Sequence, residues 1–174
     1  MSDQQIIIVG FMGTGKTTIA HELARRLNCL GVDLDELIAG IQARSPNEII
    51  VQDGEKRFRE IETQTLREVL LEKGARIIAV GGGAWTIVEN RRLIAEHGAV
   101  TVWLDAPFEL CWKRIEAGAG ARPLARSREF AERLYRERRP IYKLADARIP
   151  VANNENAEEI ATRIAGILLQ PADN

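Results

Sequence analysis

Eight residues near the start of the chain, Gly10-Phe11-Met12-Gly13-Thr14-Gly15-Lys16-Thr17, lie between the apolar run Gln5 to Val9 and an amphipathic segment from about Thr17 to Leu27. They fit G-x-x-x-x-G-K-[ST] in the setting that the pattern requires, a strand before it and a helix after it. Glycines let successive backbone N–H groups curl around a phosphate, and the positive end of the following helix favours the anion. Lys16 is then placed to reach terminal phosphates and the Thr17 hydroxyl to ligate Mg²⁺. Such a loop implies a nucleoside triphosphate but not what is done with it.

The run before the loop, Gln5-Ile6-Ile7-Ile8-Val9, is β-branched and uninterrupted, as a strand buried on both faces should be. Ile19, Leu23 and Leu27 share one face of the helix that follows. Further apolar runs stand at Arg76 to Val80, Ala99 to Leu104, Gly31 to Leu34 and Ala147 to Val151. Amphipathic segments separate them: about Glu36 to Gln42, Gly54 to Lys73, Val88 to His97, Phe108 to Ile115, Ser127 to Ala145 and Ala157 to Leu168. Strands alternating with helices predict βαβ crossovers and a parallel sheet covered on both faces, an α/β fold. At 174 residues the chain is read as one domain, 1–174. The stretch Glu116 to Ser127, broken by Gly118, Gly120 and Pro123, resists assignment and is read as a lid over about 116–127.

Composition narrows the function classes. Lys and Arg number 24 against 25 Asp and Glu, so general attraction to nucleic acid or anionic lipid is not expected. No apolar run approaches the roughly 20 residues of a membrane helix. Cys29 and Cys111 form no C-x-x-C pair and read as small core residues, consistent with a reduced, cytoplasmic protein. His21 and His97 have no ligand-bearing neighbours in sequence and are read as structural.

Two further groups fall near predicted strand ends, where open α/β sheets bind ligands. Asp33 and Asp35 follow the second strand and are expected to alternate along its direction, one towards a metal and the other towards an incoming hydroxyl. Gly81-Gly82-Gly83 follows the strand ending at Val80 and suits a ligand approaching the backbone closely. Trp85, just beyond, is expected to pack. Arg59 and Glu62 share a helix face, and spacing alone fits a solvated ion pair of little energetic worth. From Trp112 to Arg148 there are 11 basic and 5 acidic residues, a surplus that coincides with the lid and would focus field on anions. Arg122 is the lid residue best placed to meet charge on a transferring phosphoryl group.

Taken in order, Gly10 to Thr17, Asp33-x-Asp35, Gly54-Glu55-x-x-Phe58-Arg59-x-x-Glu62, Gly81-Gly82-Gly83 with Glu89-Asn90-Arg91, and Arg122-Pro123-Leu124 followed by Arg138-x-Pro140-x-Tyr142 resemble the shikimate kinase family. The resemblance runs from Ile6 to about Val151. It implies a three-layer αβα sandwich with a five-stranded parallel sheet in the order 2-3-1-4-5, and transfer of the γ-phosphoryl group of ATP to the 3-hydroxyl of shikimate. It implies that Gly13, Thr14, Gly15, Lys16, Thr17 and Thr18 hold ATP, with Arg114 near the adenine and Arg122 swinging in with the lid. Thr17 and Asp33 would hold Mg²⁺, and Lys16, Asp35 and Arg122 would be catalytic. Shikimate would meet Asp35, Arg59, Glu62, Gly81, Gly82, Gly83 and Arg138, the two arginines clamping its carboxylate. A cytoplasmic monomer with no nucleic-acid or membrane partner is expected.

Three positions depart from the family pattern: Asn47 after Pro46, Trp85 where a smaller aliphatic is expected, and Ala125 in place of a second lid leucine. Two other readings compete, a gluconate-type or nucleotide kinase using the same loop and lid, and a non-catalytic ATP-binding regulator. The presence of Asp35 and Arg122 counts against the regulator.

Overall fold

A computed structural model describes residues 4–118 and 127–169. Five strands, β1 Ile6–Val9, β2 Gly31–Asp33, β3 Ile77–Ala79, β4 Val100–Asp105 and β5 Ala147–Pro150, form one parallel sheet in the order β2-β3-β1-β4-β5. Around it run α1 Lys16–Arg26, α2 Leu34–Gln42, α3 Pro46–Asp53, α4 Glu55–Glu72, α5 Val88–Glu96, α6 Phe108–Ala117, α7 Arg128–Tyr142 and α8 Ala157–Leu169. The result is the expected αβα sandwich.

Strand β1 lies at the centre, with Ile7 opposite Ile78 on one side and Thr101 on the other. Its four residues are almost fully shielded, which is why the run is apolar without alternation. The connection leaving β1 runs to β2 on one side and that leaving its neighbour β3 crosses to β4 on the other, so the crevice at their C-terminal ends is the topological switch point, and the glycine-rich loop emerges there.

Two local predictions change. The chain turns into α2 directly at Asp33, whose carboxylate accepts from the backbone N–H groups of Asp35 and Glu36. Asp33 is thus an N-cap and Asp35 lies in the first helical turn, so the two do not alternate along a strand as expected. Helix α3, unassigned from sequence, begins with Pro46 and is closed by a reciprocal cap between Ser45 and Glu48. Of the lid segment, Glu116 and Ala117 continue α6 and Ser127 caps α7, while 119–126, with Arg122 and Ala125, lie outside the described residues. Cys111 is fully buried, but Cys29 is only half-buried.

Candidate active site

Gly13 and Gly15 take φ of +81° and +89°, left-handed values that a glycine adopts without strain. The bend leads into α1, which among the described residues has no side-chain cap, so its first N–H groups remain available to an anion. Helix α6 supports the loop from below: a Cβ on Gly13 would stand 2.5 Å from the Cys111 carbonyl oxygen. Thr14 is buried, its hydroxyl donating to the Phe11 carbonyl at 2.8 Å, so it braces the loop rather than lining the cleft. Lys16 Nζ donates to the same carbonyl at 3.0 Å. From α6, Arg114 Nη1 donates to the Gly13 and Thr14 carbonyls at 3.3 and 3.2 Å.

The Thr17 hydroxyl donates to Asp33 Oδ2 at 2.5 Å, while Asp33 Oδ1 holds the start of α2. A hydroxyl and one carboxylate facing a phosphate loop suit Mg²⁺, which keeps several waters and takes its remaining ligands from substrate phosphates. Among the described residues no group of three or more His, Cys, Asp or Glu forms a metal cage, and this kind of site requires none.

Elsewhere in the cleft the three glycines abut four polar side chains between them. A Cβ on Gly81 would lie 2.8 Å from Glu62 Oε1 and 3.2 Å from Asp35 Oδ1. One on Gly83 would lie 2.4 Å from Arg59 Nη2, and one on Gly82 would lie 3.6 Å from Arg138 Nη1. The Gly82 carbonyl accepts a hydrogen bond from the Tyr142 hydroxyl, which ties α7 to this turn. Trp85 is buried and donates to the Ile141 carbonyl at 3.0 Å, so it packs, as expected.

The Arg59–Glu62 pair is not the solvated pair that spacing alone suggests. Phe58, Ile61, Glu62, Thr65, Leu66 and Leu70 form the buried stripe of α4, and Glu62 occupies a core position in it with 0% exposure. Its Oε2 accepts from Arg59 Nη1 at 2.7 Å. Burial pushes the Glu62 carboxyl up to about 7, opposed by the Arg59 charge and reinforced by Asp35. Arg138 is 8% exposed, and its Nη1 is buried without a hydrogen-bond partner among the described residues. A buried guanidinium nitrogen left in this state marks a place for an anionic acceptor atom.

Lys16, Thr17, Asp33, Asp35, Arg59, Glu62, Gly81 to Gly83, Arg114 and Arg138 line one cleft of about 570 Å³. Ser45, Pro46, Asn47 and Ile50 of the α3 segment and Phe58 of α4 also line it, and sequence reasoning assigned none of them to the site. Two signals for them were present: the Ser45-x-x-Glu48 cap, which announces a helix, and the odd polar residue Asn47. Glu62 had a signal as well, since it falls on the apolar stripe of its helix.

Against known proteins, the family model for shikimate kinase matches residues 12–168. The chain belongs to the shikimate kinase family. A shikimate kinase of Cereibacter sphaeroides is 38% identical over 171 residues, covering 97% of this chain and 84% of that protein. One of Geobacter sulfurreducens is 41% identical over 165 residues, covering 93% and 89% respectively. Among solved structures, shikimate kinase from Acinetobacter baumannii in complex with shikimate superposes with a TM-score of 0.86 at 31% identity, covering 95% of this chain and 93% of that one. Membership of the family does not favour the gluconate-type kinase or the regulator.

Proposed function

We propose that the cleft transfers the γ-phosphoryl group of ATP to the 3-hydroxyl of shikimate, giving shikimate 3-phosphate and ADP. The observation that carries this reading is that two guanidinium groups, Arg59 and Arg138, line the same cleft as the phosphate loop. A planar carboxylate suits two such forks, and its ring then lies between Asp35 and the terminal phosphate. Asp35 orients the attacking hydroxyl and takes its proton as the acceptor oxygen bonds to phosphorus and the bond from phosphorus to the β,γ-bridging oxygen breaks. Lys16 and the N–H groups at the start of α1 hold the phosphates and meet the charge that develops on them. Thr17 and Asp33 would hold Mg²⁺, which when bound neutralises phosphate charge. Glu62 orients Arg59, Gly81 to Gly83 line the pocket, Arg114 flanks the nucleotide, and Arg122, which lies outside the described residues, is assigned to the transferring group. On this reading the chain is one domain and works as a monomer in the cytoplasm. Among its described residues no helix is long and apolar enough to cross a membrane.

The test is a coupled ADP assay with shikimate on the parent, Arg59→Ala and Arg138→Ala. Loss of a charge-assisted contact of about 1.5–3 kcal/mol raises the shikimate KM roughly tenfold or more in each variant, with ATP affinity held. Equal loss of ATP affinity would overturn the assignment.

A further inference from the structure

The acceptor end of the cleft is poor in net positive charge for a site that must attract a carboxylate. Arg59 and Arg138 bring two positive charges, and Asp35, Glu55 and Glu62 bring three carboxyl groups. With Glu62 protonated the groups merely balance. A carboxylate that reaches Arg59 must therefore compete with the carboxylates already bound to it.

The three carboxyl groups differ in how easily they can give way. Glu62 is wholly buried and Asp35 is held in the first turn of α2. Glu55, at the first position of α4, has a side chain 53% exposed, and its Oε1 accepts from Arg59 Nη2 at 3.2 Å. Glu62 takes Arg59 Nη1 at the shorter distance of 2.7 Å. The Cα of Gly83 blocks one face of the guanidinium, since a Cβ there would sit 2.4 to 2.8 Å from its atoms, and the Phe58 ring lies 5.2 Å from Cζ. The Nη2 edge is where a ligand carboxylate can make a new bond, and Glu55 is already on it.

We infer that Glu55 competes with the acceptor's carboxylate for the Nη2 edge of Arg59, and that it swings to solvent when that carboxylate binds. Glu55 is thus a positioning residue that holds Arg59 ready while lowering acceptor affinity. The inference rests on the clamp role given to Arg59 above. A rival role exists, because an acidic residue in the first turn also favours the dipole of α4. That role affects helix stability and leaves acceptor affinity alone.

Calorimetric titration of Glu55→Gln with shikimate separates the two. An exposed ion pair of this kind is displaced at modest expense, so the dissociation constant for shikimate should fall about two- to fivefold. The constant for MgATP should hold, and that for shikimate methyl ester, which carries no charge to compete, should shift by less than about 1.5-fold. An unchanged or raised constant for shikimate, or an equal shift with the ester, would overturn the inference. Arg59→Ala is run alongside. If it leaves shikimate affinity intact, the clamp assignment fails and this inference with it. If it weakens shikimate binding while Glu55→Gln strengthens nothing, only the competition is wrong.

Discussion

Gly83→Ala tests the acceptor site through a single methyl group. Gly83 has φ −96° and ψ −21°, an ordinary right-handed conformation, so alanine brings no backbone strain. Its Cβ, however, would lie 2.4 Å from Arg59 Nη2 and 2.8 Å from both Cζ and Nη1. Ordinary contact needs about 3.4 Å or more, so the guanidinium must retreat by about 1 Å. Its side chain is 19% exposed and has a solvent side to move towards, so the fold survives while the bond to Glu62 at 2.7 Å is stretched. A misplaced fork forfeits most of a charge-assisted bond to the acceptor, about 1.5–3 kcal/mol, and the shikimate KM should rise roughly ten- to a hundredfold with the ATP KM unchanged. Steady-state assays on the parent, Gly83→Ala, Arg59→Ala and the double variant close a cycle. If Arg59 carries the effect, adding Gly83→Ala to Arg59→Ala changes KM by less than about twofold. A folded Gly83→Ala protein with parental shikimate KM, or additive losses in the cycle, would refute the reasoning.

Glu62→Gln replaces a buried carboxyl by a neutral isostere. The folded pKa of about 7 lies above the ordinary carboxyl value of 4.5, so the stability linked to this group is fully present below pH 4.5 and is lost as pH rises through 7. Relative to the parent, the Gln variant should therefore gain stability between pH 5 and pH 8, read as urea midpoints at the two values; a constant difference would exclude burial as the cause. Asp33→Ser keeps an oxygen that can cap α2 but removes the charge beside Thr17. It should melt within about 1 kcal/mol of the parent, yet need more Mg²⁺ and turn over roughly ten- to a hundredfold more slowly. Turnover at the parental rate with an unchanged Mg²⁺ requirement would remove Asp33 from the metal site.

Much of this protein is local and therefore legible. The loop Gly10 to Thr17 was recognisable because a strand, a glycine turn and a helix start are decided within a few residues of one another. The alternation of apolar runs and amphipathic segments likewise announced the parallel sheet, since each element must bury one face. Helix α3 is not legible in the periodicity because it is 8 residues long and opens with proline, too short for a clear period, although its cap is written in Ser45 and Glu48.

What tertiary structure alone decided is the electrical state and aim of the acceptor groups. Arg59 and Glu62 have the spacing of any surface pair, and only packing of α4 against α2, α3 and α5 makes one member fully buried with a raised pKa. The Gly81 to Gly83 turn acquires meaning only when Asp35, Glu62, Arg59 and Arg138 come to rest against it, and the Tyr142 hydroxyl that ties α7 to it is 60 residues away from Gly82. Desolvation and steric blocking depend on neighbours distant along the chain. A pattern of residue types fixes which groups are available, and the packed interior fixes their charge and direction.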